Sequence, residues 1–389
     1  MNKDAKWLAW LEQQFSRISG ESRQISLHDF TEVLQVKELF FAEQFFKLFD
    51  KDRSGTISLS ELIDGLNMLM EGSDMDKLKF LFDVYDVDGN GTIDPDELKI
   101  VLRSCMDESK LELSEETLDE LTNTLFESAD VDQSGSITFE ELHDELLKHP
   151  GVIENLTIRL TEYDKPLSAG SETSVSDWKQ IEVFIDGPYG APAVDIFEAE
   201  HAVLIAAGIG VTPYASILQT IVHKYQLTNQ KCPECGHRWV PPEHDGAFKI
   251  KKVDFFWINR DQHSFEWFLK LMTQLEIDAR EISVVDENPD ASFLDLHMYM
   301  TSALRKSDVK AVGLQMALEL MHEKSNKDVI TGLKARTKAG RPDWKEVFTE
   351  LNKNKRGKVT VFFCGSPILA QVINTYCNKF GFRFKAEKF

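Results

Sequence analysis

Residues 206–218 read AAGIGVTPYASIL, and their reading decides the fold of the C-terminal two-thirds of the chain. The apolar run AVLIAA (202–207) stops at Gly208-Ile209-Gly210 and passes into a helix whose first turn holds Pro213. Proline is tolerated there because the first N–H groups of a helix have no intrahelical partner. Glycines let the backbone approach a ligand closely, and a helix N-terminus favours a pyrophosphate. The dinucleotide fingerprint would have glycine where Pro213 stands, so this stretch alone leaves a phosphate cradle and an ordinary tight turn both open.

The surrounding texture alternates strand and helix. Strands are expected near 181–185, 202–206, 252–258, 294–299, 359–364 and 382–385, and helices near 213–226, 264–276, 308–323, 343–352 and 367–380. That alternation predicts a mostly parallel, doubly wound α/β sheet. Two more strand-to-helix turns carry chemistry. FFWINRD (255–261) ends a strand with Asn259, Arg260 and Asp261, and an arginine at a strand's carboxyl end suits the 2′-phosphate that distinguishes NADP from NAD. A surface ion pair is the plainer alternative for Arg260. FFCGSP (362–367) sets Cys364 at a strand tip, Gly365 for close approach, and Ser366-Pro367 at a helix start.

The N-terminal third reads differently. DKDRSGTISLSE (50–61), DVDGNGTIDPDE (86–97) and DVDQSGSITFEE (130–141) repeat one pattern of oxygen-bearing residues around a central glycine. The ligand positions are Asp50, Asp52, Ser54, Thr56, Ser58 and Glu61; Asp86, Asp88, Asn90, Thr92, Asp94 and Glu97; and Asp130, Asp132, Ser134, Ser136, Thr138 and Glu141. Calcium takes about seven oxygens, so alternating short side chains wrap it and a final glutamate closes the shell. Gly55, Gly91 and Gly135 allow the sharp turn. These are EF-hand loops, flanked by segments with apolar residues at helical spacing.

A fourth hand lies upstream. Aligning Ile25 with the apolar eighth position of the other loops puts Ile18 at position 1 and Arg23 at the glycine position. This loop is expected to pair with 50–61 without holding calcium well, giving two EF pairs. The Phe-rich helices around Phe45 and Phe80 are expected to be core residues that line a groove when a pair opens.

Charge separates the two halves. Residues 1–150 carry 34 Asp and Glu against 14 Lys and Arg; residues 151–389 carry 31 against 30. The acidity therefore belongs to the N-terminal third, which disfavours nucleic acid and favours cations or a basic partner. Five scattered cysteines fit a reducing compartment, and no apolar run reaches the roughly 20 residues of a membrane span, so a cytosolic location is expected. The expected division is residues 1–150 as an EF-hand domain, 151–180 as a linker, and 181–389 as a dinucleotide-binding lobe.

Taken together, DGPYG (186–190), AAGIGVTP (206–213), FFWINRD, GRPDW (340–344), FFCGSP and the terminal Phe389 resemble the NADPH-binding lobe of the NADPH oxidases, in the ferredoxin–NADP reductase superfamily. The four hands point to the calcium-activated branch of that family. The resemblance implies that NADPH reduces FAD, that two haems carry electrons across a membrane, and that oxygen becomes superoxide. It implies that Gly208, Gly210, Thr212 and Pro213 contact the NADPH phosphates, and that Asn259, Arg260 and Arg341 hold the 2′-phosphate end. It further places Cys364 and Gly365 near the nicotinamide and Phe389 over the flavin. It also implies docking of the EF-hands on the dehydrogenase lobe and an association with a membrane haem domain.

The sequence departs from that family in its middle. The membrane helices and most of the FAD barrel have no counterpart. A six-stranded barrel with its turns needs roughly 60 residues, and only about 30 lie between Gly151 and Ile181. RLTEYDKPL (159–167) is read as a remnant of the barrel's end. A flavin must accept the hydride and release single electrons, so catalysis by this chain alone is in question.

Two smaller signals stay open. Cys232, Cys235 and His237 in CPECGHRW (232–239) fit half a zinc site, a redox dithiol, or neither. LRKSDVKAVGLQMALELM (304–321) fits an ordinary core helix, a target for an EF groove, or a calmodulin target.

Overall fold

The computed structural model describes residues 24–34, 39–148, 192–228, 248–283, 292–305 and 308–387. It also describes Val152, the short strands at 230–231 and 238–239, and a few positions between 13 and 19. The chain forms two compact units. The first gathers residues 1–108, 125–189 and 306–313; the second gathers 109–124, 190–305 and 314–389.

Along the chain, each calcium-type loop lies between helices. Helices Leu27–Leu34 and Leu39–Phe49 precede the first calcium-type loop, and Leu59–Glu71 follows it. Asp74–Tyr85 and Pro95–Ser109 flank the second loop, and Glu115–Ala129 and Phe139–Leu147 flank the third. Strand β1 (Gln24–Ile25) pairs antiparallel with β2 (Ile57–Ser58), with Ile25 opposite Ile57. Ile93 and Ile137 form the equivalent bridge. The hands therefore couple two by two through their eighth positions, as the spacing predicts. Aromatic residues of these helices pack on one another. Phe30 packs edge-on to Phe49, and Phe45 stacks on Phe80 with ring centroids 5.7 Å apart.

The second unit is built on a six-stranded sheet. Its strands are β3 (His201–Ala207), β6 (Lys252–Asn259), β7 (Leu294–Met300), β8 (Thr337–Ala339), β9 (Val359–Cys364) and β10 (Arg383–Ala386); a separate antiparallel pair is β4 (Gln230–Lys231) with β5 (Arg238–Trp239). The order across the sheet is β10-β9-β3-β6-β7-β8, and every pairing is parallel. Central strands β3, β6 and β9 are buried along nearly their whole length, which is why they read as continuous apolar runs. At the amino edge, the Arg356 N–H donates to His201 Nδ1 (3.3 Å), and His201 Nε2 donates to Asp254 (2.7 Å). His297 meets the other oxygen of Asp254 at 2.9 Å, joining three strands through one buried carboxylate.

Five expected strands and all five expected helices are present, with shifts at their ends. The helix expected from 308 starts at Val312, because Asp308 makes a turn of its own. Its carboxylate accepts the Lys310 N–H and its carbonyl accepts the Ala311 N–H. Strand β8 was not expected. The strand expected at 181–185 lies outside the described residues.

Candidate nucleotide and calcium sites

The three loops share one internal scaffold. Asp50 accepts the N–H groups of Ser54 (2.9 Å) and Gly55 (2.8 Å). Asp86 does the same for Asn90 and Gly91, and Asp130 for Ser134 and Gly135. Gly55, Gly91 and Gly135 have φ of +81°, +90° and +86°, the conformation that brings their N–H groups inward. The closing glutamate reaches back across the loop: Glu97 Oε1 accepts from Val87 and Asp88, and Glu141 Oε1 from Val131 and Asp132. Glu61 and Glu141 also complete capping boxes with Ser58 and Thr138 at the start of the exiting helices.

The carboxylates converge accordingly. One oxygen each from Asp50, Asp52 and Glu61 lies within 4.8 Å of the others, and the same holds for Asp86, Asp88 and Glu97, and for Asp130, Asp132 and Glu141. Hard oxygen donors at this spacing fit calcium. Asp29, the twelfth residue of the upstream hand, instead caps its own helix through Ser26. Ile18, Gly20, Ser22 and Arg23 lie outside the described residues.

The nucleotide crevice sits where the chain order reverses. From β3 the chain runs outward through β6, β7 and β8, then returns to β9 and β10 on the other side. In open α/β sheets, ligands bind outside the carboxyl ends of strands at such a switch point. Gly208 leaves β3 with φ +58° and is exposed; its carbonyl accepts the Trp257 indole N–H at 3.3 Å. A Cβ on Gly210 would lie 2.3 Å from the Cys364 carbonyl oxygen, and one on Gly365 would lie 2.8 Å from Ala207 Cβ. The turns after β3 and β9 thus interlock, and only glycine fits where they cross. Thr212–Thr228 begins beside the first turn and Pro367–Phe380 beside the second, with Ser366 as N-cap. Pro213 lies in the first turn of its helix, as expected, and the Thr212 hydroxyl donates to the Ile209 carbonyl at 2.8 Å.

Other expected site residues divide. Arg260 and Arg341 are exposed at the carboxyl edge, after β6 and β8. Asn259 is buried, and its amide donates to the Ser264 carbonyl (3.3 Å), so it shapes the Arg260 turn from behind. Cys364 is buried at the tip of β9, and burial pushes its thiol up to about 11, far from a thiolate at neutral pH. Phe389, Cys232 and Cys235 lie outside the described residues.

Sequence reading missed Arg305. Its guanidinium donates to the Arg341 carbonyl at 2.6 Å, and Gly340, at φ +79°, passes directly against its side chain. Arg260, Arg305 and Arg341 follow three neighbouring strands, β6, β7 and β8. The Gly340-Arg341 pair was the available signal, since a glycine at a strand end marks a close approach.

Residues 306–313, which follow β7 in the sequence, belong to the first unit. Within that unit, the Gly313 N–H donates to the Tyr85 hydroxyl at 2.9 Å, and Lys310 pairs with Glu108 at 2.9 Å.

An interlocked glycine crevice on a parallel sheet, with convergent calcium loops in the same chain, defines a calcium-binding protein with an NADP-type dinucleotide domain. Residues 199–378 match the family model of the ferric reductase NAD binding domain. Residues 75–147 match an EF-hand domain pair and 41–69 an EF hand domain. NADPH oxidase 5 of Homo sapiens is 30% identical in an alignment of 749 positions that covers all of this chain and 97% of that protein. A superoxide-generating NADPH oxidase heavy chain of Dictyostelium discoideum is 36% identical over 50% of this chain and 24% of its own length. Respiratory burst oxidase homolog protein D of Solanum tuberosum is 32% identical over 61% of this chain and 27% of its own length.

The chain belongs to the NADPH oxidase family. It carries the calcium-binding and NADPH-binding portions of a calcium-regulated oxidase: its EF-hands take calcium, its NAD-binding domain takes NADPH, and FAD goes with the family. The chain spans about a quarter of the plant and amoebal relatives named above. The 749 aligned positions far exceed its 389 residues, so much of the human relative lies opposite a gap.

Proposed function

We propose that this chain presents NADPH to a flavin in a superoxide-generating oxidase, on the cytosolic side of a membrane, and that calcium on its EF-hands decides when. The observation that carries this reading is the crossing of the β3 and β9 turns, where a Cβ at Gly210 would strike the Cys364 carbonyl. In this reading Gly208, Gly210, Thr212 and Pro213 receive the pyrophosphate, and Arg260, with Arg341 and Arg305, receives the 2′-phosphate. Bound NADPH supplies hydride chemistry. The chain's residues orient it, with Cys364 and Gly365 shaping the nicotinamide end as a neutral surface and Phe389 covering the flavin.

Calcium occupies three loops in this reading, and the upstream hand is structural. The contacts of Tyr85 and Glu108 with Gly313 and Lys310 support docking of the second EF-hand on the start of the 304–321 segment, in preference to calmodulin. Zinc at Cys232 and Cys235 is tested by metal analysis of the purified protein and of Cys232→Ser.

A second reading is a calcium-binding regulatory module that holds nucleotide without turning it over. The gap in the alignment with the human relative and the short 151–180 segment favour it. Loss of NADPH absorbance with added FAD and an artificial acceptor, in calcium and in EGTA, separates the two. Calcium-stimulated, FAD-dependent oxidation supports the enzyme. Confirmed NADPH binding without oxidation supports the module. No NADPH binding overturns both.

A further inference from the structure

The second and third hands are joined by residues 110–114, between the helices Pro95–Ser109 and Glu115–Ala129. This linker belongs to the second compact unit, together with the loop after β6 and residues 301–305 after β7. The Glu112 N–H donates to the Gln262 side chain at 3.1 Å, and the Glu112 carboxylate meets His263 Nε2 at 3.2 Å. The Ser302 hydroxyl donates to the Ser109 carbonyl at 3.2 Å, while the Ser302 N–H donates to the Arg260 carbonyl at 2.8 Å. Gln262 and His263 are two and three residues beyond Arg260. The turn that carries Arg260 is therefore held on two sides by one short linker between calcium-binding hands.

We propose that residues 109–114 position Arg260 and make the subsite for a 2′-phosphorylated adenosine responsive to calcium. The inference rests on the reading that Arg260 meets the 2′-phosphate. Both ends of the linker are set by calcium loops. Glu97, which closes the second loop, lies in the first turn of the helix ending at Ser109, and Glu115–Ala129 runs directly into Asp130. Calcium reorients the helices of a sensor hand. Arginine recognises phosphate through a planar fork whose geometry is strict, so a small shift of its turn changes affinity. The pyrophosphate cradle after β3 is made by other residues. Calcium is thus expected to change selectivity for the 2′-phosphate and to leave the 5′-phosphate contribution alone.

The test measures binding of adenosine 2′,5′-bisphosphate and of 5′-AMP to the full chain by calorimetry, in calcium and in EGTA. The bisphosphate is expected to bind on the order of tenfold tighter in calcium, with AMP unchanged. By reciprocity, saturating bisphosphate raises calcium affinity by the same factor. The double variant Glu112→Ala/Gln262→Ala removes one exposed and one half-buried side chain whose contacts with each other's segments are solvent-facing. It is expected to keep its calcium stoichiometry and to bind the bisphosphate equally in calcium and EGTA. If the bisphosphate binds no tighter than AMP, or its advantage survives Arg260→Ala, the 2′-phosphate reading fails and the proposal with it. If the advantage depends on Arg260 but not on calcium, or if the double variant stays calcium-dependent, the proposal alone is overturned.

Discussion

Lys310 and Glu108 form an ion pair at 2.9 Å with side chains only 4% and 6% exposed. Truncating one partner of such a pair removes a charge-assisted contact from a low-dielectric site, at a cost of about 3–5 kcal/mol. Lys310→Met should therefore lower unfolding stability by several kcal/mol in a urea titration of the full chain. The double variant Lys310→Met/Glu108→Leu should lose less than the sum of the two single variants, the mark of a coupled pair.

Tyr85 is buried, and burial pushes its phenol well above its usual range, so it stays a neutral hydroxyl. It accepts the Gly313 N–H. Tyr85→Phe leaves that buried N–H unpaired and should cost about 1–3 kcal/mol, read as a lower melting temperature with unchanged calcium stoichiometry.

Gly208 and Gly210 differ in what they demand. Gly208 has a left-handed φ with open space around its missing Cβ, so Gly208→Ala should cost about 1 kcal/mol. Gly210→Ala drives a methyl into backbone at 2.3 Å, and neither turn can yield without moving the crevice. NADPH affinity should fall far more for Gly210→Ala than for Gly208→Ala, as measured by fluorescence titration.

Glu61 and Glu141 have carboxyls held below their ordinary range, first by the backbone N–H groups of Ser58 and Thr138. A depressed folded-state value means stability present above the unfolded value and lost as pH falls through the folded one. Calcium-free protein should thus keep these caps above about pH 4.5 and lose helicity below it, followed by circular dichroism. Glu61→Gln, Glu97→Gln and Glu141→Gln should each lower calcium stoichiometry by one.

His263 sits between Glu266 and Glu112, and hydrogen bonds to both raise its pKa. A raised folded-state value means stabilisation that is complete below about pH 6.5 and lost as pH rises through the folded value. The contact between His263 and the 109–114 linker should weaken on going from pH 6 to pH 8. NMR titration of the His263 ring should report a midpoint above the ordinary value, and Glu112→Ala should lower it.

The calcium loops were legible because each ligand set lies within twelve consecutive residues, so chemistry and spacing appear together in the sequence. Even the pairing of Ile25 with Ile57 could be read, since the apolar eighth position repeats in every hand. The strands β3, β6 and β9 were legible because burial on both faces writes them as unbroken apolar runs. Strand β8 was not, because Thr337-Lys338-Ala339 is an edge strand with no such run.

The amino-acid sequence by itself determined two EF pairs, a doubly wound nucleotide lobe and most of its candidate ligands. Only the tertiary structure showed why Gly210 cannot be another residue, that Asn259 is turned into the protein, that Arg305 joins Arg341, and that Glu112 grips the Arg260 turn. Each of these depends on groups brought together by strand order and packing. Local spacing records the ligands of a loop, but it carries no record of which distant backbone will lie against a given residue.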